Sequence, residues 1–239
     1  MNKYAVYTGT RNLYTHMVPA IKSLLANSDV DKIYLLIEDD EFPYELPEGL
    51  VETKNLSGQT WFGPECKNSK SSFTYMAMIR VCFAKIFPDL DKILSLDVDT
   101  FAVRDASDVW NLPIDGRYFS ASVEVDRSQK EKRTYTNAGV MLQNLKKIRE
   151  DKLDDFFIHE LNTRVYPFLD QDVFNIFCQG KIQEMPCEYN SNEYTSIAKN
   201  PRIVHYAGIR KWDDKPEYTL YNSLPWDTVL EFRKMRYGR

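Results

Sequence analysis

The sequence predicts an α/β protein with a mostly parallel central sheet flanked by helices. Three observations carry this expectation. Residues 32–38 and 92–96 are short, near-continuous apolar runs, the pattern of strands covered on both faces. Up to residue 100 such runs alternate with segments of helical period, and a β-α-β-α order folds into parallel strands joined by helical crossovers. The composition, 43% hydrophobic and 28% charged over 239 residues, is that of an ordinary globular chain long enough to bury a sizeable core.

Taken in order, residues 4–8 read as the first strand. Residues 18–26 follow as an amphipathic helix with Ile21, Leu24 and Leu25 on one face. The strand at 32–38 comes next, then a helix over 73–87 that Pro88 stops, then the strand at 92–96. Further strands are expected at 118–124, 138–143 and 202–206, and further helices at 152–161, 171–178 and 226–235. Residues 54–72 and 125–135 read as loops. There is no repeat, low-complexity tract or Gly/Ser linker, so one domain over 1–239 is expected, in two parts, 1–104 and 105–239.

The net charge of −4 argues against a nucleic-acid binder, which normally carries a basic surplus. Cys66, Cys82, Cys178 and Cys187 form no CxxC pair and sit among largely apolar neighbours, as buried thiols of a reducing compartment do. Residues 1–3 lead into the first strand without a signal peptide's apolar core, and no apolar run is long enough to span a bilayer. A soluble, cytoplasmic protein is expected. The C-terminal EFRKMRYGR mixes four cations with Phe232, Met235 and Tyr237, which sets at most a peripheral contact with an anionic inner membrane face beside the plainer reading of a solvated last helix.

Ligands of such sheets sit at the carboxyl ends of strands. The strand at 92–96 ends in Asp97-Val98-Asp99. In an extended segment the two carboxylates would project to one face about 6–7 Å apart and repel unless a cation sits between them or one is protonated. A hard divalent ion is the natural answer. A turn cap with a solvated neighbour and a glycosidase carboxylate pair are the alternatives. In RIVHYAGIRKWDDKP, His205 ends another strand-like run and Gly208 a turn, with Arg210, Lys211 and Lys215 close behind. An imidazole beside carboxylates moves metal preference from Mg²⁺ towards Mn²⁺, and the cations would neutralise a diphosphate on that metal. Arg80 is a lone charge in an apolar helix; it either snorkels to solvent or reaches a phosphate or ribose in the crevice. Asn137-Ala138-Gly139 puts an amide and two small residues where something must approach the backbone, and Asp170-Gln171-Asp172 opens a helix whose dipole favours both acids.

Assembled in order, YTGTRNLY, Arg80, LDVDTF, NAGVMLQNLKK, LDQDVFN and VHYAGIRK resemble the blocks of the family 8 glycosyltransferases, the retaining group that includes glycogenin and lipopolysaccharide galactosyl- and glucosyltransferases. The blocks span residues 4–212. The resemblance implies a GT-A fold, a UDP-sugar donor, and Mn²⁺, with Mg²⁺ as the alternative, held by Asp97, Asp99 and His205. It places Thr8, Asn12 and Tyr14 on uridine, Arg80 on the ribose-phosphate or sugar side, and Gly208 and Lys211 on the diphosphate, Asp97 touching the nucleotide-sugar as well as the metal. Glu124, Asn137, Ala138, Asp170 and Gln171 would line the transferred sugar, Asp170 and Gln171 in catalytic roles. Glu124 stands where relatives often have Asp, and the family's lysine-proline-tryptophan ending is split between Lys211-Trp212 and Lys215-Pro216, so either lysine can serve the phosphate.

The implied activity is transfer of a hexose, galactose or glucose, from UDP to a hydroxyl of a saccharide or lipid-linked saccharide acceptor, as in polysaccharide biosynthesis. A UDP-sugar hydrolase and a non-catalytic UDP-sugar-binding module are the rivals. A nucleotidyltransferase would begin with a Gly-rich phosphate loop, which YTGTRNLY is not.

Overall fold

A computed structural model describes residues 2–71, 73–209 and 211–239. Strand β1 (Tyr4–Thr8) leads through a short 3₁₀ turn into helix α1 (Tyr14–Asn27), and β2 (Lys32–Ile37) and β3 (Val51–Asn55) follow. Then come α2 (Tyr75–Met78), a 3₁₀ segment (Ile79–Cys82), α3 (Phe83–Ile86), β4 (Lys92–Leu96) and β5 (Thr100–Ala102). The second half runs β6 (Phe119–Val123), α4 (Val125–Glu131), β7 (Thr136–Asn144), α5 (Leu145–Glu150), α6 (Leu153–Thr163) and α7 (Leu169–Phe177). It closes with β8 (Ile182–Glu184), β9 (Ile203–His205), α8 (Pro216–Ser223) and α9 (Trp226–Tyr237).

Seven strands form one sheet in the order β3-β2-β1-β4-β7-β6-β8. β7 runs antiparallel to both its neighbours, and every other pair is parallel. The mostly parallel, helix-flanked sheet expected from the sequence is therefore present. Its two faces carry separate cores. Tyr7, Leu35, Leu94, Leu96 and Leu142 pack on one side with Ile21, Leu24 and Leu25 of α1 and with Trp110. Val6, Leu36, Ile93 and Met141 pack on the other with Phe83, Phe157, Val173 and Phe174. Neighbouring residues of each central strand thus serve opposite cores, which is why those strands read as unbroken apolar runs. Removing one such buried aromatic, Phe174 for example, costs about 3–5 kcal/mol.

Five expectations need correction. Residues 73–87 are not one helix: the carbonyl of Arg80 accepts from Gln143 Nε2 at 3.3 Å, which draws it out of the i→i+4 ladder where the 3₁₀ segment lies. Residues 125–135 contain α4, and the 54–72 loop begins inside β3, an edge strand whose VETKN sequence has no core face to announce it. The strand near 202–206 is not in the main sheet; β9 pairs antiparallel with β5 in a separate two-stranded ribbon. The first helix starts at Tyr14, ahead of Pro19, which it tolerates internally.

Among the described residues no helix is long and apolar enough to cross a membrane. Cys66, Cys82 and Cys178 are buried, Cys187 is half-buried, and all four are unpaired thiols. The C-terminal arginines are engaged with the body. Arg233 donates to the carbonyls of Ser28 and Val30, Arg236 to those of Ala26 and Asn27 Oδ1, and Arg239 pairs with Asp29 and Asp31.

Candidate active site: an acidic cleft at the switch point of the sheet

The chain leaves β1 towards β2 on one side and returns as β4 on the other, so the carboxyl ends of β1 and β4 part around a crevice. Register decides what is delivered there. Tyr7 pairs with Leu96, which sets Thr8 beside Asp97. Because β7 is reversed and pairs Val140 with Leu96, its opening residues Asn137, Ala138 and Gly139 come to the same rim, and the Asp97 N–H donates to the Gly139 carbonyl at 2.8 Å. β6 pairs Val123 with Thr136 and so adds Glu124.

Asp97-Val98-Asp99 is a turn, not the extended segment expected; the Thr100 N–H and hydroxyl close it on the Asp97 carbonyl at 3.2 and 2.6 Å. β5 then pairs Thr100 with His205. The result is a triangle. His205 Nε2 lies 3.3 Å from Asp99 Oδ1 and 3.9 Å from Asp97 Oδ2, and one ligand atom from each residue falls within 4.8 Å of the others. Room for the imidazole is made by Gly139, where a Cβ would stand 2.0 Å from His205 Cε1. This is the close approach that the two small residues of the NAG stretch foretell.

Arg80 is only 5% exposed, so it does not snorkel. Its guanidinium joins Asp97 to Asp170, the latter at 2.9 Å, while its buried Nε has no partner. Burial first, and then the charge of Asp97, push the Asp170 carboxyl up to about 6 against the opposing pull of Arg80. Burial would lower the His205 imidazole, but Asp99 and Asp97 outweigh it and hold it above its ordinary value. Helix capping accounts for Asp172, which accepts the Phe168 N–H at 2.8 Å, but not for Asp170.

The sugar-side residues form a bonded chain. Asn137 Nδ2 and Gln171 Nε2 donate to Glu124 Oε1 at 2.9 and 3.1 Å, and the Ala138 N–H donates to Gln171 Oε1 at 2.9 Å. Gln171 Nε2 also lies 3.3 Å from the Tyr135 hydroxyl, which donates to Asp172. Arg127 binds the same carboxylate at 2.8 Å with its guanidinium 3.7 Å from the Tyr135 ring centroid and 4.3 Å from that of Phe168. Nothing in the sequence marks Tyr135, Arg127, Asn190 or Asn192, since single residues in polar stretches carry no spacing that points to a site.

The site opens on a cleft of about 890 Å³. Thr8, Arg80, Asp97, Asp99, Glu124, Asn137, Ala138, Asp170, Gln171, His205 and Gly208 all face it. Asn12, Tyr14 and Lys211 do not. Asn12 is exposed and accepts from Thr10. Tyr14 is buried, its hydroxyl accepting the Glu38 N–H at 2.7 Å. Lys211 is exposed at the start of a 3₁₀ turn, and Lys215 lies 5.7 Å from the Tyr206 ring centroid. Arg210, the third cation of that loop, lies outside the described residues. Gly208 has φ +72°, and a Cβ there would stand 2.8 Å from the Tyr194 hydroxyl.

Among the described residues the lining bears seven carboxylates, Asp97, Asp99, Glu124, Asp126, Glu131, Asp170 and Glu193, against Arg80, Arg127 and Lys130. An anionic ligand is repelled from such a cleft unless a cation accompanies it. Two carboxylates and an imidazole at this spacing are a donor set that fits a divalent metal ion.

A parallel sheet with one reversed strand, a switch point beside an Asp-x-Asp turn and a histidine brought in from a second ribbon define a GT-A protein. The chain belongs to glycosyl transferase family 8, whose profile matches residues 6–215. It is similar, at 26% identity, to a lipopolysaccharide 1,2-glucosyltransferase of Escherichia coli over 61% of this chain and 55% of that one. It is also 26% identical to the glycosyltransferase GlyD of Streptococcus pneumoniae over 97% of this chain and 32% of that one, so it spans about a third to just over half of the curated relatives' lengths. Among solved structures, the galactosyltransferase LgtC with donor and acceptor sugar analogues matches with a TM-score of 0.70 at 18% identity, covering 94% of this chain and 98% of that one. The glycosyltransferase GlyE of Streptococcus pneumoniae matches with a TM-score of 0.73 at 21% identity, covering 100% and 64%.

Proposed function

We propose that this protein is a metal-dependent, retaining glycosyltransferase that moves a hexose, galactose or glucose, from a UDP-sugar to a hydroxyl of a saccharide acceptor. The observation that carries the reading is the Asp97–Asp99–His205 triangle at the switch point of an acid-lined cleft in a family 8 chain. Asp97, Asp99 and His205 would hold Mn²⁺, or Mg²⁺ in its place. When bound, that ion supplies positive charge to the diphosphate, the group on which negative charge develops as the anomeric bond breaks.

The chain's own residues do the rest. Residues up to 104 present Thr8 to the nucleoside, and the later residues present the sugar and acceptor pocket. Gly208, with Lys211 or Lys215, approaches the phosphates. Glu124 and Asn137 receive the sugar's hydroxyls. Asp170 and Gln171 face the ring where positive charge grows, with Gln171 oriented by the Ala138 N–H. Both candidate carboxylate nucleophiles are occupied, Asp170 by Arg80 and Glu124 by two amide donors. This supports attack by the acceptor hydroxyl on the same face that the leaving group departs from.

The test is a panel of UDP-sugars with Mn²⁺, read by UDP release and by product mass, with and without saccharide acceptors. Acceptor-dependent release from UDP-galactose or UDP-glucose is the expected result. Asp99→Asn should lower kcat/KM by about two to three orders of magnitude. Release that ignores the acceptor would make the protein a hydrolase, and binding without release a binding module.

A further inference from the structure

We infer that Asn190 is a positioning residue that fixes His205 as the Nδ1–H tautomer and so keeps Nε2 open as a ligand atom towards Asp97 and Asp99. This rests on the metal reading above for its consequence, but the tautomer itself follows from hydrogen bonds that begin at backbone amides.

A backbone N–H can only donate. The Gly139 N–H meets Asn137 at 3.0 Å, which makes that atom Oδ1 and turns Asn137 Nδ2 towards Glu124. The group of Asn190 that faces Asn137 Oδ1 at 3.0 Å must then be its Nδ2. A second anchor agrees. Asn192 Oδ1 accepts the N–H groups of Tyr194 and Thr195 at 2.8 and 3.1 Å, so Asn192 Nδ2 donates, at 2.9 Å, to an Asn190 atom that must be Oδ1. That same Oδ1 lies 2.8 Å from His205 Nδ1, and two acceptors cannot share this distance, so Nδ1 carries the hydrogen. Asn192 Nδ2 is also 3.4 Å from Nδ1, too long to compete with its 2.9 Å bond to Asn190.

All three asparagines are buried, Asn190 fully, so a reversed amide would leave donors facing donors without water to relieve them. The Nε2 lone pair is consequently aimed at two carboxylates, an arrangement that a cation between them satisfies. An outer-sphere partner of this kind orients the ring and tunes its affinity, and its loss typically costs 10–100-fold in metal binding. The same Asn190 joins His205 to Asn137 and Glu124 on the sugar side, so one amide serves both halves of the cleft.

The test uses the metal-free full chain with ¹⁵N-labelled histidine at alkaline pH, where the ring is neutral, and reads the tautomer from long-range ¹H–¹⁵N couplings. Wild type should show Nδ1–H for His205, and an Nε2–H ring would overturn the inference without any variant. Asn190→Ala should let the ring exchange tautomers and weaken Mn²⁺ binding by calorimetry 10–100-fold. Asn190→Asp keeps the acceptor facing Nδ1 although it loses the donor to Asn137 Oδ1, so it should keep the tautomer, and a ring that exchanges tautomers in this variant would contradict the role. An unchanged tautomer with Mn²⁺ affinity within twofold in Asn190→Ala would contradict the role. Should that variant not fold, the wild-type spectrum and Asn190→Asp decide. Failure of wild type to bind Mn²⁺ would remove the metal reading while leaving the tautomer measurement intact.

Discussion

Asp170 is 3% exposed, held by Arg80 and repelled by Asp97, and its titration follows from that setting. Its carboxyl stands near 6 against an ordinary value of 3.8. The folded protein then binds a proton that the unfolded chain has released, so this group's contribution to stability falls as pH rises from about 4 to about 6. Asp170→Asn removes the titration while keeping an acceptor for Arg80. In metal-free protein, urea midpoints across this range should decline less with pH in the variant than in wild type; parallel slopes would contradict the assignment. Residues of this sort were legible in the sequence to the degree that they were anomalous there. Two aspartates at a strand exit, a lone arginine in an apolar segment and a histidine before a glycine turn each break a local expectation. Asn190 and Asn192 break none. Their importance arises from two backbone amides and a ring that lie far from them in sequence, and no spacing rule encodes that.

At the scale of elements, the strands with two buried faces were readable because each residue serves one core or the other. β3 and β8 were not, since edge strands of mixed polarity lack that signal. The reversal of β7 is equally silent: an apolar run reads the same in either direction, yet that reversal brings Asn137 and Gly139 to the site. Helix α9 shows polar residues whose role appears only on packing. Arg233, 2% exposed, caps the carbonyls of Ser28 and Val30, which lie in the α1–β2 connection. Arg233→Ala would leave two buried acceptors unmet, at about 1–3 kcal/mol each. Urea denaturation should show a loss of about 2–6 kcal/mol, and a loss under about 0.5 kcal/mol would mean that water replaces the guanidinium.

Over the whole molecule, the fold class and the assembly of the site were predictable because β-α-β order fixes where strand exits go, and strand exits are where this chain keeps its carboxylates. Three positions that the sequence suggests for the ligand flank the cleft instead of lining it: Tyr14 turns into the core against Phe42, and Asn12 and Lys211 stand outside the lining. What unites the structure is a charge problem. A cleft whose described lining has seven carboxylates and three basic side chains opposes a diphosphate, and the Asp97–Asp99–His205 triangle is where a divalent cation would reverse that opposition. Calorimetric titration of UDP into the full chain, with Mn²⁺ and then with the metal chelated, tests this most directly. The account predicts binding with Mn²⁺ that weakens at least 100-fold, about 2.7 kcal/mol, on chelation. Equal UDP affinity in the two conditions would contradict it.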